Sequence, residues 1–256
     1  MFINNFDPVA FNFFSLEIRW YSLAYIFGII IGWFYCKRFL IKDRSILNIF
    51  DDLITYLIIG IIVGGRLGYI LIYNFDYYLN NLIEILMIWR GGMSFHGGLV
   101  GVLISTIFFS KKHNINPLVF LDLISAAAPI GIFLGRIANF LNSELYGKQT
   151  EIFWSVMFPK IDNLSRHPSQ IYEALFEGLI LFLILNLLIR KNMLNKKGKI
   201  TSYFLIFYSL FRFILEFFRE PDPQLGYLII GMTMGQVLCA FLFVIGIGLF
   251  FRKNEN

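Results

Sequence analysis

Six charged residues lie inside long apolar runs, where charge is costly: Arg66, Arg136, Arg212, Glu173, Glu177 and Glu216, with His96 and Asp122 in similar settings. Each costs about 2.5–3.5 kcal/mol on insertion scales, so such residues are read first as function. Arg136 and Asn139 are three apart and share a helix face, while Arg212 and Glu216 are four apart and share another. Gln170, Glu173 and Glu177 make a third stripe. Two guanidiniums on different helices, each beside a polar partner, suit a phosphate. The planar fork donates in pairs, whereas a lysine ammonium is a point charge. His96, the one histidine within an apolar run, is a candidate general base at neutral pH. For Arg66, Asp122, Glu173 and Glu177 a structural reading, buried ion pairs that fix helix packing, stands beside the functional one. No lysine occurs within a run, which removes Schiff-base chemistry and a lysine nucleophile.

The elements that must position these groups follow from composition. Of 256 residues, 57% are hydrophobic and 15% charged, with thirty Phe and a mean hydropathy of +0.68. Soluble domains carry about 25% charged and 45–50% apolar residues. That excludes a soluble enzyme, a disordered tail and a fibrous repeat. The net charge of +5 sits in short basic clusters between apolar runs, so nucleic acid is not an expected partner. Cys36 and Cys239 form neither a disulfide framework nor a metal-ligand spacing, and neither metal nor cofactor is expected.

A spanning helix needs about 20 mostly apolar residues. Seven runs qualify: Trp20–Cys36, Leu53–Tyr73, Met93–Phe109, Leu118–Leu141, Ile171–Ile189, Ile200–Phe218 and Tyr227–Phe251. The third is broken by Gly91, Gly92, Gly97 and Gly98. The opening MFINNFDP lacks a basic region, so the first run reads as permanent rather than as a cleaved signal. The expectation is an all-α polytopic membrane protein, a single domain over 1–256 with a short extracytoplasmic segment at 142–169. One set of loops holds thirteen Lys and Arg and the other six, which places the N-terminus outside and the C-terminus in the cytoplasm. On that orientation His96, Arg66, Arg136, Arg212, Glu216, Glu173 and Glu177 fall in the outer half of the membrane, as around a polar cavity opening outward.

Motifs then become specific. GRIANFLNSELYG (Gly135–Gly147) resembles the signature GRxxNFxNxExxG of the prolipoprotein diacylglyceryl transferase family, with seven fixed letters matched in thirteen. In the same order as in that family stand WY at Trp20–Tyr21, GGRLGY (Gly64–Tyr69), GGMSFHGG (Gly91–Gly98), RHPSQIYEALFEG (Arg166–Gly178), FRFILEFFREPD (Phe211–Asp222) and MGQ (Met234–Gln236). The resemblance implies a seven-helix inner-membrane enzyme with an extracytoplasmic N-terminus and active site. Its reaction moves the diacylglyceryl group of phosphatidylglycerol to the lipobox cysteine of a prolipoprotein, forming a thioether and releasing glycerol phosphate. The implied partners are phosphatidylglycerol, the lipobox region of the prolipoprotein signal peptide, and membrane lipid.

Carried over by motif, the catalytic positions are His96, Arg136 and Arg212. The substrate-binding ones are Tyr21, Arg136, Asn139, Glu144, Gly147 and Glu216. His96 would take the thiol proton, the two arginines would hold the leaving phosphate, and Glu216 would orient Arg212. Glu144 would position headgroup hydroxyls or pair with Lys148. Ser143 stands where the motif often has Gly, and the segment between Gly147 and His167 is shorter than in many relatives. The alternative class is an anion transporter or channel, since intramembrane arginines also mark substrate paths, although no half-chain repeat is visible. A serine protease using Ser94 or Ser143 with His96 lacks a GxSG motif.

Overall fold

Hydrocarbon offers a backbone no hydrogen-bond partner but itself, so the apolar runs fold as helices. The computed structural model describes residues 1–14, 16–221 and 231–252. Asp222 of the FREPD motif and the first residues of the Tyr227–Phe251 run lie outside them. Two units divide the chain: Met1–Cys36 with Asp122–Asn256, and Lys37–Leu121.

In the unit Met1–Cys36 with Asp122–Asn256, strand β1 (Phe2–Ile3) is followed by the hairpin β2 (Val9–Phe13) and β3 (Leu16–Arg19), which leads directly into α1 (Trp20–Tyr35). Trp20 donates its indole N–H to the Asp7 carbonyl at 3.1 Å, tying the helix start to the loop before the hairpin.

In the unit Lys37–Leu121, α2 (Arg44–Tyr73) is started by Asp43, whose carboxylate accepts the Ser45 N–H at 2.8 Å. The short helix α3 (Phe75–Asn80) and two 3₁₀ turns lead to α4 (Phe95–Lys112). The α2–α4 crossing is built on glycine: a Cβ at Gly68 would stand 2.7 Å from Gly97 Cα, and one at Gly64 2.9 Å from Gly101 Cα. Small residues at such spacing let membrane helices touch backbone to backbone. Outward from that seam, Val100, Ile104 and Phe108 are exposed, as lipid-facing side chains are.

Helix α5 (Pro117–Leu141) begins in the unit Lys37–Leu121, continues from Asp122 in the first unit, and keeps Pro129 in its interior. Beyond it β4 (Val156–Met157) and β5 (Ser165–Arg166) join β1 in a small sheet of order β1-β4-β5. The next span is α6 (Ser169–Glu173), a π-helical stretch at Ala174–Ile180, and α7 (Leu181–Arg190). Then come α8 (Lys199–Leu215) and α9 (Met234–Phe251). The buried Asp122 carboxylate on α5 caps α8 from outside it, accepting Gly198 N–H at 2.6 Å and both the N–H and the hydroxyl of Thr201 at 2.8 Å.

Among the described residues five helices are long and apolar enough to cross a membrane: Trp20–Leu40, Arg44–Ile72, Pro117–Leu141, Ser169–Arg190 and Met234–Phe251. The chain is thus an α-helical, multi-pass membrane protein. The other two expected spans are helices as well, α4 with 18 residues and α8 with 17. The strands were not anticipated. β1 has two residues and pairs in parallel with a segment far along the chain, Phe2 opposite Val156, so no local pattern announces it.

Candidate active site

Three elements of one unit, α5, α6 with its π-helical extension, and α8, converge on a buried charge cluster. Glu173 Oε2 lies 3.1 Å from Arg136 Nη1, and Glu173 Oε1 accepts a hydrogen bond from Arg212 Nη1. Glu177 Oε2 accepts from Arg136 Nη2 at 3.2 Å, and Glu177 Oε1 lies 3.6 Å from Arg212 Nη1. Glu216 Oε2 lies 2.5 Å from Arg212 Nη2, one turn along the same helix. The π-helical stretch, a local widening common at functional sites, carries Glu177 while Glu173 ends the helix before it, and both carboxylates reach the same two guanidiniums. The Glu173 and Glu177 side chains are wholly buried, whereas that of Arg136 keeps 16% exposure and that of Arg212 8%. Arg136 therefore has the more open edge. Both arginines are held at both amino groups, Arg136 by Glu173 and Glu177 and Arg212 by Glu173 and Glu216.

The two guanidiniums face three carboxylates, and the buried Arg219 lies within electrostatic reach of Glu173. Such mutual neutralisation is what allows charge at this depth, and removing one member leaves its partner buried and uncompensated. The structural reading of Glu173 and Glu177 is thereby met, and the same contacts hold the arginines rigid.

Beside the cluster, three of the sequence motifs are laced together by backbone hydrogen bonds. Gly147 N–H donates to His167 O at 3.1 Å, His167 N–H to Lys148 O at 2.9 Å, Lys148 N–H to Phe218 O at 2.9 Å, and Glu220 N–H to Tyr146 O at 3.1 Å. Gly147 is at the centre of this ladder: a Cβ there would meet Phe218 O at 2.8 Å and His167 Cβ at 2.7 Å. Its place in the signature thus has a packing cause. Arg166 ties the same region, with Nη1 donating to Gly147 O at 3.1 Å and Nη2 to Asp162 at 2.5 Å. These bonds hold the Asp162 carboxyl below the usual carboxylate range. His167 packs edge-on against Phe218 and Tyr172, and burial pushes its imidazole below the ordinary value.

Asn139, three residues from Arg136 on α5, has its own hydrogen-bond partner. Its amide donates to Glu144 Oε2 at 3.1 Å, and Asn142 donates to Glu144 Oε1 at 3.3 Å. The chain reverses after α5 through left-handed residues Ser143 (φ 59°) and Leu145 (φ 53°), which brings Glu144 back over the helix end. Asn139 and Glu144 therefore form one polar pair, and Gln170, fully buried, donates to the Glu144 carbonyl at 2.6 Å. The Tyr21 hydroxyl is shared with that of Tyr25 at 3.0 Å, within electrostatic reach of Glu144 and Arg136.

The remaining candidates belong to the unit Lys37–Leu121. His96 is exposed on the first turn of α4, which Ser94 caps by accepting Gly97 N–H at 3.3 Å. Arg66 is structural: its guanidinium donates to the carbonyls of Ile85 (2.9 Å), Gly91 (2.5 Å), Gly92 (3.2 Å), Glu84 (2.5 Å) and Met87 (3.4 Å). It lies 5.1 Å from the Tyr78 ring centre and organises residues 84–92. One contributor to the cluster escaped the sequence reading. Thr233, at the N-terminal cap of α9, donates its hydroxyl to Glu216 Oε1 at 2.9 Å. The spacing Thr-x-x-Gln, a capping box, was its available signal.

Residues 8–252 match the family model described as prolipoprotein diacylglyceryl transferase. A protein of Rickettsia typhi named phosphatidylglycerol–prolipoprotein diacylglyceryl transferase is 49% identical over 259 residues, covering all of both chains. Proteins of the same name from Rickettsia bellii (49% identical, 98% of this chain and 96% of the relative) and Azospirillum brasilense (48%, 95% and 92%) are similar to it over nearly their full lengths.

Proposed function

Because the chain belongs to the prolipoprotein diacylglyceryl transferase family, and is thus a transferase of lipoprotein biosynthesis, we propose the chemistry that its own residues perform. The enzyme takes the diacylglyceryl group of phosphatidylglycerol and attaches it to the lipobox cysteine of a prolipoprotein. The cysteine sulfur attacks the glyceryl carbon that bears the phosphate. The C–O bond breaks with its electron pair going to the phosphate oxygen, a thioether forms, and glycerol phosphate leaves. The nucleophile comes from the substrate, so the enzyme needs neither a serine nor a cysteine of its own.

The observation that carries this reading is the pair Arg136 and Arg212, locked by shared buried carboxylates, with Arg136 keeping the more open edge. Negative charge grows on the phosphate as the C–O bond breaks. A guanidinium already fixed in a site of low dielectric stabilises that charge with no reorganisation. Arg136 faces the phosphate, and Arg212 sets the field behind it through Glu173. The Asn139–Glu144 pair and Tyr21 offer hydrogen bonds to the headgroup glycerol. His96 takes the thiol proton, an assignment made on residue type and motif. Seven crossings, with the N-terminus and the chemistry on the outer face of the bacterial inner membrane, complete the proposal.

Purified protein in detergent micelles, given phosphatidylglycerol and a peptide with a lipobox cysteine, tests it. The peptide is expected to gain the mass of a diacylglyceryl group, and the same peptide with Ser for Cys is expected to gain none. No mass gain from folded protein would overturn the assignment.

A further inference from the structure

We propose that the N-terminal cap of α9 is a positioning device for Glu216, and through it for Arg212. The MGQ motif has this as its physical role. The inference rests on the reading above, in which Arg212 serves the phosphate.

The contacts form a closed set. Thr233 Oγ1 accepts the Gln236 backbone N–H at 3.3 Å, and Gln236 Oε1 accepts the Thr233 backbone N–H at 3.1 Å, a reciprocal capping box. A hydroxyl has one proton to give. With a lone pair of Thr233 committed to Gln236, its proton goes to Glu216 Oε1 at 2.9 Å. Glu216 Oε2 is on Arg212 Nη2 at 2.5 Å, so the carboxylate is pinned at both oxygens, one by α8 and the other by α9. Gly235 completes the seat: a Cβ there would stand 2.9 Å from Glu216 Oε1 and 3.1 Å from its carboxyl carbon. Thr233, Gln236, Glu216 and Arg212 are all buried, so water does not replace any of these bonds. The first turn of α9 is also the positive end of the helix dipole, which favours a carboxylate beside it.

A cap that served only α9 and a cap that positions Glu216 predict opposite outcomes. Alanine is the better helix former, so Gly235→Ala leaves the melting temperature unchanged or raised if the cap is all that matters, with kcat intact. On the positioning role, the added methyl displaces the Glu216 carboxylate, and kcat falls about 10- to 100-fold, the worth of one hydrogen bond to a charged group. KM for the peptide stays within about twofold. Thr233→Asp still caps the helix but sets a second carboxylate against Glu216, and the same kcat loss is expected. Thr233→Ser keeps both bonds and restores kcat.

In a Glu216→Gln background, Gly235→Ala should add little further loss, because the group it displaces no longer carries the charge. Normal kcat in both Gly235→Ala and Thr233→Asp would overturn the inference. Arg212→Lys, run alongside, separates the two levels. If it too retains full activity, the reading of the site fails. If it alone loses activity, only the positioning role fails.

Discussion

Arg136 and Arg212, on different helices, grip opposite oxygens of one carboxylate, that of Glu173. A side chain with no exposed surface is thus the spacer that sets one guanidinium relative to the other. Glu177 repeats the bridge more loosely, at 3.2 Å and 3.6 Å.

Glu173→Gln should therefore cost more than Glu177→Gln. Removing one partner of a buried ion pair costs about 3–5 kcal/mol, and Glu173 is closely engaged with both arginines where Glu177 is close to one. Thermal unfolding in detergent is expected to show the lower midpoint for Glu173→Gln. Equal midpoints for the two variants would contradict the spacer role.

Arg136→Ala and Arg212→Ala should each lose about 10²–10³ in kcat, the cost of removing one preorganised donor. Arg→Lys keeps the charge without the fork and should lose most of the same activity at either position. Their combination should be far less than additive, since groups that act as one unit fail together. Single-turnover rates with phosphatidylglycerol check this, and fully additive losses would separate the two residues.

His96→Gln keeps size and some hydrogen bonding but accepts no proton. A loss of about 10²–10⁴-fold is expected at neutral pH, shrinking as pH rises toward the thiol's own ionisation near about 8.5. Rate profiles of both proteins against pH decide it. A deficit independent of pH would give His96 a role other than base.

His167 supplies a separate acid effect. Burial holds its folded imidazole below the ordinary histidine value of about 6.5, so the unfolded chain binds the extra proton first. The stability it contributes is full above that value and is lost as pH falls below it, down to the depressed folded value. Protection factors of the backbone amides of Lys148 and His167, which already allow for the slower intrinsic exchange in acid, should fall on acidification over this window, and less so in His167→Phe. Protection factors that stay flat from pH 7 to pH 5 would count against it.

Much of this was legible in residue spacing. The pairing of Arg212 with Glu216 follows from four-residue separation on one helix. The Glu173–Glu177 stripe was also readable, although helical periodicity says which residues share a face and not which helix that face meets. For the same reason spacing sets Asn139 beside Arg136 and no more. Its partner Glu144 lies past a chain reversal built on two left-handed residues, Ser143 and Leu145, and neither is a glycine that would have signalled it. Spacing alone leaves Arg66 open to either role, because carbonyl acceptors have no letter in a sequence. The guanidinium is spent on the backbone of residues 84–92. Glycines in GGRLGY that read as part of a site motif are those that admit α4 against α2.

The order of charges along the chain has a consequence for synthesis. Arg136 leaves the ribosome before either carboxylate that neutralises it, since Glu177 follows 41 residues later and Arg212 comes 39 residues after Glu173. At about 5–20 residues per second, a nascent chain waits roughly 2–8 s with one uncompensated positive charge. It then carries an excess of negative charge for a similar interval, until Arg212 and Arg219 have both arrived to balance Glu173, Glu177 and Glu216. Each such charge, once in lipid, costs about 2.5–3.5 kcal/mol. The α5 and α6 segments must therefore be sheltered by the insertion machinery, or rest shallow in the bilayer, until all three helices are present. Arrest of translation between Gly178 and Lys199 should yield a chain that membrane proteases recognise as unfinished.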